Sequence, residues 1–234
     1  MTLLAIRDLT VEYRTERGPL RAVDAVSLEM GEGETLGLAG ESGCGKSTLA
    51  FSILRLLPRS ARVTGSIELD GVDVLRMDDR ALRSYRWKSV ALVPQGSMNA
   101  FDPVRTIGSQ IVEGIRTHES VTGERAWERT RALLASVGIS EKRAKNFPHQ
   151  FSGGMRQRAA IAMALSLNPK LVILDEPTTA LDVVVQKQIL TLLRRLQREY
   201  RTSFVFITHD LSVLADVATS IAVMYAGRIA EIGP

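Results

Sequence analysis

The sequence has a single cysteine and no long apolar run. Cys44 is the only cysteine among 234 residues, so no disulfide can form within the chain and a reducing, intracellular compartment is expected. No stretch reaches the roughly 18 consecutive apolar residues that typify a membrane-spanning helix. The apolar run at the N-terminus is too short for a signal peptide. Work at a membrane would therefore require a partner protein.

Aromatic residues are also few, at 5% of the chain, and neither sign of charge dominates. The formal net charge is +4, with acidic and basic residues interspersed and no dense basic tract. Nucleic-acid binding usually involves a clustered basic patch, so no nucleic-acid partner is expected. A core built mainly of aliphatic residues favours a parallel sheet covered by helices over an aromatic-rich sandwich of sheets.

Hydrophobic periodicity predicts alternating strands and helices. The first 30 residues alternate with period two and predict two strands separated by a turn at Gly18-Pro19. Short apolar runs predict further strands at 35–39, 90–94, 171–174, 204–207 and 221–224, the last followed by a hairpin turn at Ala226-Gly227. Helical patterns lie at 46–57, 125–137, 155–167 and 183–200.

The clearest motif is a glycine-rich loop that matches G-x-x-x-x-G-K-[ST] in full. It lies between a predicted strand and a predicted helix, and it reads Gly40-Glu41-Ser42-Gly43-Cys44-Gly45-Lys46-Ser47-Thr48. Glycines let backbone N–H groups turn toward phosphates, and the helix N-terminus adds a positive dipole end. Lys46 is expected to reach the β- and γ-phosphates, and the Ser47 hydroxyl to coordinate Mg²⁺. The motif predicts nucleoside triphosphate binding.

A second motif is a buried strand that ends in two acids, Asp175 and Glu176. Carboxylates at the end of such a strand suit a cation or a reacting group. We expect Asp175 to hold Mg²⁺ and Glu176 to polarise the attacking water. Either acid alone is also consistent with a helix cap, but the pair in a chain with a complete phosphate loop favours catalysis.

Two single residues follow strands in the same way. Gln95 and His209 are weak signals individually, because polar residues are common in loops. Parallel strands bring their carboxyl ends to one edge of a sheet, where ligands bind. Gln95 is therefore a candidate to orient Mg²⁺ and water, and His209 to contact the γ-phosphate. His118 and His149 have no such context and are assigned to the surface.

A second candidate anion site is the turn Ser152-Gly153-Gly154, which opens a predicted helix. The same residues also suit a simple helix cap. If this turn binds phosphate and lies on a different subdomain from the glycine loop, one nucleotide cannot easily contact both sites within one subunit. Two subunits facing head to tail, each completing the other's site, resolve this conflict.

The order of these motifs resembles that of the ATP-binding subunits of ABC transporters over nearly the whole chain. The resemblance implies that Tyr13 stacks on adenine and that Ser152 to Gly154 bind the γ-phosphate of ATP held by the opposite subunit. It also implies that Asp182, in the run Ala180-Leu-Asp182, lies in a loop that crosses the dimer interface. Met155 departs from the glutamine that is more usual in the family, which changes contacts near the ribose.

The expected fold class is α/β. It comprises a P-loop NTPase core with a mostly parallel sheet, an N-terminal antiparallel β subdomain and an inserted α-helical subdomain. Residues 1–97 and 156–234 are assigned to the core, and residues 98–155 to the helical subdomain that carries the signature. Family members usually continue past the last hairpin, so a C-terminal extension is expected to be missing from residues 1–234.

A narrower resemblance, to the ATPase subunits of dipeptide, oligopeptide and nickel importers, rests on three runs. They are residues 96–107, 149–158 and 175–182. It implies ATP hydrolysis coupled to membrane permease subunits, with a second ATP-binding subunit and, indirectly, a solute-binding protein. The expected location is the cytoplasmic face of the membrane, held by the permease, and residues after Gln95 would lie near the permease groove.

Two other classes remain open. One is a soluble ABC ATPase that acts in DNA repair or translation. Repair types insert a long coiled coil and ribosomal types carry two tandem domains, and this sequence shows neither feature. An exporter ATPase domain is the other. Cys44 also has two interpretations: a thiol activated at a helix N-terminus, or a small residue that fits the loop.

Overall fold

The computed structural model describes residues 1–96, 100–179 and 181–234. The chain forms two compact units, one of residues 1–86 with 203–234 and the other of residues 87–202. The helical subdomain at 98–155 was defined by motifs and stays a prediction. Its boundary residue Met98 and Ala180 of the Asp182 run lie outside the described residues.

The strands, in chain order, are β1 (Thr2–Thr15), β2 (Gly18–Gly31), β3 (Thr35–Ala39), β4 (Arg62–Leu69), β5 (Val72–Asp73), β6 (Val90–Val93), β7 (Leu171–Asp175), β8 (Ser203–Ile207), β9 (Ser220–Tyr225) and β10 (Arg228–Gly233). The helices are α1 (Lys46–Ile53), α2 (Asp79–Lys88), α3 (Ile107–His118), α4 (Gly123–Ser136), α5 (Gly153–Ala164), α6 (Val183–Tyr200) and α7 (Leu211–Val217). Short 3-10 turns lie at Val74–Arg76, Glu141–Lys145, Pro148–Gln150 and Leu165–Leu167.

The first unit contains an antiparallel sheet in the order β2-β1-β4-β5. The predicted strands are confirmed, but the predicted position of their turn is wrong. The turn lies at residues 16–17, and Gly18, with φ +108°, already begins β2. The Thr15 hydroxyl donates to the Gly18 carbonyl at 2.6 Å and closes the hairpin before the proline.

The same unit contains a run of strands in the order β10-β9-β3-β8. Strand β3 is parallel to both β8 and β9, and only β9 and β10 are antiparallel. All five residues of β3 and of β8 are buried, as continuous apolar runs predict. The hairpin turn at Ala226-Gly227 is confirmed, with positive φ at both residues.

Helix α1 ends earlier than its apolar pattern predicts. It ends at Ile53, because Arg55 adopts a left-handed φ of +49° and turns the chain away. The Arg55 guanidinium donates to the Met77 carbonyl at 2.6 Å, and Arg86 donates to the carbonyls of Leu54 and Arg55. Leu56, which falls within the predicted helical pattern at 46–57, lies beyond the end of α1 and is 46% exposed.

The second unit pairs β6 with β7 in parallel and contains α3, α4, α5 and α6. Helix α6 has the bounds that its periodicity predicts. Helix α4 begins two residues before its predicted start. Helix α5 begins at Gly153 and ends at Ala164, after which the chain continues as a 3-10 turn. Leu133, Leu134 and Val137, which are apolar residues of the predicted helical pattern at 125–137, are buried.

Helix α3 was not predicted as a separate element. Ile107, Ile111 and Ile115 form its buried stripe, but two glycines weaken its helical signal. Both glycines lie against indole rings: a Cβ on Gly108 would be 2.5 Å from Trp127, and one on Gly114 would be 2.6 Å from Trp87. Close packing of these glycines against the indole rings therefore stabilises α3 and compensates for its weak helix propensity.

Candidate nucleotide-binding site

The glycine loop of residues 40–48 connects β3 to α1 in the first unit. Gly40, Gly43 and Gly45 all have positive φ, which lets the backbone curl around a central space. Gly45 is the N-cap of α1 and no side chain caps the helix. The first N–H groups of α1 have no acceptor within the helix, so this end of the helix can receive an anion.

The Lys46 side chain lies inside the loop and is only 7% exposed. Its Nζ donates to the carbonyl oxygens of Gly40 at 2.7 Å and Glu41 at 2.8 Å, and lies 3.6 Å from the Cys44 Sγ. The ammonium is therefore held inside the loop by two of the loop carbonyls. Cys44 is also buried, at 7% exposure, and forms part of the loop wall.

Three further candidate residues of the first unit lie around this loop and at the same sheet edge. Ser47 is exposed in the first turn of α1, and the Tyr13 hydroxyl donates to the Thr48 Oγ1 at 3.3 Å. His209 is exposed two residues after β8, which is parallel to β3. The carboxyl end of β3 leads into the glycine loop, so the loop and His209 follow neighbouring strands at one edge.

Asp210, next to His209, caps α7 and fixes the start of that helix. Its carboxylate accepts hydrogen bonds from the Ser212 hydroxyl at 2.6 Å and the Ser212 N–H at 2.9 Å. The Ser212 side-chain hydrogen bond is the main cause that lowers the pKa of Asp210. The ionised carboxylate, which accepts both bonds, caps α7 and fixes the chain directly after His209.

In the second unit, parallel pairing of β6 with β7 brings Gln95 and Glu176 together. Gln95 Nε2 donates to Glu176 Oε2 at 2.9 Å, and the Thr179 hydroxyl donates to the same oxygen at 3.0 Å. Glu176 has φ +47°, an uncommon conformation for a residue that is not glycine. The strand end, the strained backbone and two donors together fix the orientation of this carboxylate.

Thr179 was not identified from the sequence. Its N–H donates to the Glu176 carbonyl at 3.3 Å, so the turn after β7 folds Thr179 back onto the acid. The spacing of three residues after Glu176, within a Pro-Thr-Thr turn, is the signal that points to it. Asp175, the last residue of β7, is only 4% exposed.

The chemistry of the available oxygen donors suits Mg²⁺. Within the described residues, no three His, Cys, Asp or Glu side chains form a cluster able to hold a metal. Magnesium usually binds one or two protein oxygens together with phosphate oxygens and water, so a full protein cage is not required. The hydroxyl of Ser47 and the carboxylate of Asp175 are donors of that kind.

The signature turn and Asp182 begin two helices of the second unit. Ser152 is the N-cap of α5 and accepts from the Met155 N–H at 3.3 Å, whereas Asp182 is the N-cap of α6 and accepts from the Val185 N–H at 2.9 Å. A Cβ on Gly154 would lie 2.7 Å from Val185 Cγ1. The helix N-termini that carry these two motifs are therefore close together, and both Ser152 and Asp182 are exposed.

We expect Gly45→Ala to destabilise the fold more than Gly43→Ala. Both positions have positive φ, +110° and +81°, so alanine is strained at each. Only at Gly45 would the new Cβ collide with a carbonyl oxygen, that of Ala22, whereas the space at Gly43 is open. The extra cost of overpacking is about 1–3 kcal/mol. Thermal unfolding of the two variants measures it, and equal melting temperatures would contradict the expectation.

Comparison with known proteins agrees with this geometry. A protein-family model described as ABC transporter matches residues 23–179. The oligopeptide transport ATP-binding protein OppD of Bacillus subtilis (strain 168) is 45% identical over 99% of this chain and 66% of that protein. The dipeptide transport ATP-binding protein DppD of the same organism is 45% identical over 99% of this chain and 70% of that protein. The chain spans about two thirds of the length of these relatives.

Among solved structures, the ATP-binding cassette MJ0796 matches in a dimeric, post-hydrolysis state bound to ADP and Pi. It is 29% identical, with a TM-score of 0.87 over 99% of this chain and 98% of that chain. The chain belongs to the ABC transporter family. It is an ABC-type ATPase, and the α/β fold class predicted from the sequence is confirmed. Within the described ranges, no helix is both long and apolar enough to cross a membrane.

Proposed function

We propose that the chain is the ATP-binding subunit of an importer and that its ATP hydrolysis drives the uptake of peptides. The observation that carries this proposal is an identity of 43–46%, over 98–99% of the chain, to proteins named for peptide transport. Nickel or a related solute is the alternative cargo, because the importer resemblance in the sequence includes nickel systems.

We infer the following roles for individual residues in ATP binding. Tyr13 stacks on adenine, and the backbone N–H groups of residues 40–48 surround the phosphates. The Lys46 ammonium moves from the Gly40 and Glu41 carbonyls to the β- and γ-phosphate oxygens, which offer it stronger charge-assisted hydrogen bonds. His209 contacts the γ-phosphate. This assignment is supported by the buried position of Lys46 inside the loop.

Glu176 is proposed to polarise the water that attacks the γ-phosphorus as ADP departs. Its Oε2 accepts from Gln95 and Thr179, which hold the carboxylate at the end of β7, and a carboxylate held in this way suits a general base for water. Ser47, Asp175 and Gln95 supply the oxygen ligands for Mg²⁺. That ion, when bound, neutralises negative charge that develops on the phosphate oxygens.

We propose that catalysis requires two ATP-binding subunits. Ser152 to Gly154 would contact the γ-phosphate of ATP held by the opposite subunit, and Asp182 would lie in the loop at the dimer interface. The exposed N-termini of α5 and α6 support this assignment, as does the dimeric MJ0796 structure. The second subunit is either identical or a related chain, and ATP-driven closure of the pair transmits force to the permease.

The remaining partners follow from the importer proposal. Permease subunits hold the chain at the cytoplasmic face of the membrane, and a solute-binding protein delivers the cargo to the permease. Contact with the permease is assigned to the segment after Gln95, of which Ser97 to Asn99 lie outside the described residues.

Gene deletion in the source organism, followed by uptake assays, tests the proposal. We expect uptake of labelled di- and oligopeptides to be lost, to return with the wild-type gene and to stay absent with the Glu176→Gln gene. Nickel uptake measured in parallel distinguishes the alternative cargo. Normal peptide uptake together with sensitivity to DNA damage or a translation defect would instead support a soluble ABC ATPase.

A further inference from the structure

The phosphate-binding loop is braced from outside by two other segments of the first unit. A Cβ on Gly40 would collide with the Met224 carbonyl oxygen, and one on Gly45 with that of Ala22. The Gly227 N–H donates to the Cys44 carbonyl at 3.0 Å. The loop therefore lies against strand β2 and against the turn between β9 and β10.

Asp24 of β2 connects that strand to the turn between β9 and β10. The Asp24 N–H donates to the Gly227 carbonyl at 2.8 Å. The Asp24 Oδ2 accepts from Arg228 Nε at 2.6 Å and lies 2.5 Å from the second Arg228 nitrogen. Gly227 thus bonds to Cys44 through its N–H and to Asp24 through its carbonyl, which makes a continuous connection from β2 through the turn to the loop.

Charge strengthens this connection at neutral pH. The Asp24 side chain is only 16% exposed, and its Oδ1 accepts from Arg21 at 2.9 Å. Arg21 also pairs with Glu12 at 3.0 Å, so the groups that face Asp24 are two arginines and one further acid. The hydrogen bond from Arg228 is the main cause that lowers the pKa of Asp24. The hydrogen bonds from Arg228 and Arg21 therefore favour the ionised form of the carboxylate.

We propose that Asp24 and Arg228 are positioning residues for nucleotide binding. They hold the turn at residues 226–227 against the phosphate-binding loop, so that the loop N–H groups already point inward before a nucleotide arrives. Preorganisation of this kind raises affinity because less ordering remains to be done on binding. The inference rests on the proposed binding of ATP by the loop.

The alternative is that these charges only stabilise the fold. Arg228 is 71% exposed, and ion pairs of exposed side chains contribute little to stability. The two roles give different results: a positioning pair changes nucleotide affinity, whereas a purely structural pair changes only the unfolding temperature.

The test is equilibrium titration of Mg·ATP against the full chain and against Asp24→Asn and Arg228→Gln. We expect the Kd to rise roughly three- to ten-fold in each variant, the range for loss of one typical hydrogen bond, because neither side chain would touch the nucleotide itself. The double variant is expected to bind Mg·ATP as tightly as the weaker-binding single variant, because both substitutions break the same contact between Asp24 and Arg228. Arg228→Lys, which keeps a positive charge, is expected to recover part of the affinity. In turnover assays, KM rises and kcat changes little.

Arg7→Gln is the matched control. Arg7 is an exposed arginine on β1 that pairs with Glu29 of β2 and Glu68 of β4, each at 3.4 Å. We expect its Kd to equal that of the wild type. Wild-type affinity in Asp24→Asn and Arg228→Gln, or equal losses in them and in Arg7→Gln, would overturn the inference. If Asp24→Asn does not fold, the two Arg228 variants decide. Failure of the wild type to bind Mg·ATP would instead overturn the proposed function.

Discussion

Glu176→Gln is expected to reduce ATP hydrolysis by roughly 10²–10⁴-fold, the usual contribution of a general base, while ATP still binds. Glutamine keeps the size of the side chain and an oxygen for Gln95 and Thr179, but it has no carboxylate to polarise water. Phosphate release under saturating Mg·ATP measures the loss, and equilibrium titration measures binding. We also expect ATP to trap this variant as a closed dimer, seen as a doubled mass in sedimentation.

Glu199→Gln is the matched control for this experiment. Glu199 is an exposed acid near the end of α6, so the same chemical change there is expected to leave turnover unaltered. Normal turnover in Glu176→Gln would contradict the proposed role of Glu176. A parallel loss of ATP binding would show that the carboxylate contributes to the binding site rather than to the attack by water.

Lys46→Met is expected to weaken ATP binding roughly 10- to 100-fold, the range for loss of hydrogen bonds to a charged group. Methionine retains much of the apolar stem but removes the ammonium that donates to the Gly40 and Glu41 carbonyls. The ammonium is buried at the centre of the loop, so solvent cannot supply an equivalent charge. Titration with Mg·ATP and with Mg·ADP measures the effect, which is expected to be larger for ATP.

Lys142→Met provides the comparison for Lys46. Lys142 is exposed in a 3-10 turn of the second unit, and its replacement is expected to leave both affinities unchanged. Thermal unfolding of the nucleotide-free variants shows whether the loop remains folded. Unchanged ATP affinity in a folded Lys46→Met chain would contradict the assignment of the loop as the phosphate site.

Local patterns predicted those elements whose causes are local. Helix α6 has a sustained apolar stripe and an Asp182 cap, and its bounds were predicted correctly. The apolar positions of helix α1 do not form one clear face, and its end was predicted wrongly. Its end depends on Arg55 and Arg86, whose guanidiniums bond to carbonyls of other segments. Periodicity carries no information about such partners.

The sequence by itself determined the phosphate-binding motif, the strand ending in Asp175 and Glu176, and the α/β class, because each depends on residues close together in the chain. Only the tertiary structure showed that Gln95 and Thr179 share one oxygen of Glu176. Only the tertiary structure joined the loop to Asp24 through Gly227. Contacts between residues far apart in the chain depend on strand pairing and turn geometry, which a linear pattern does not specify.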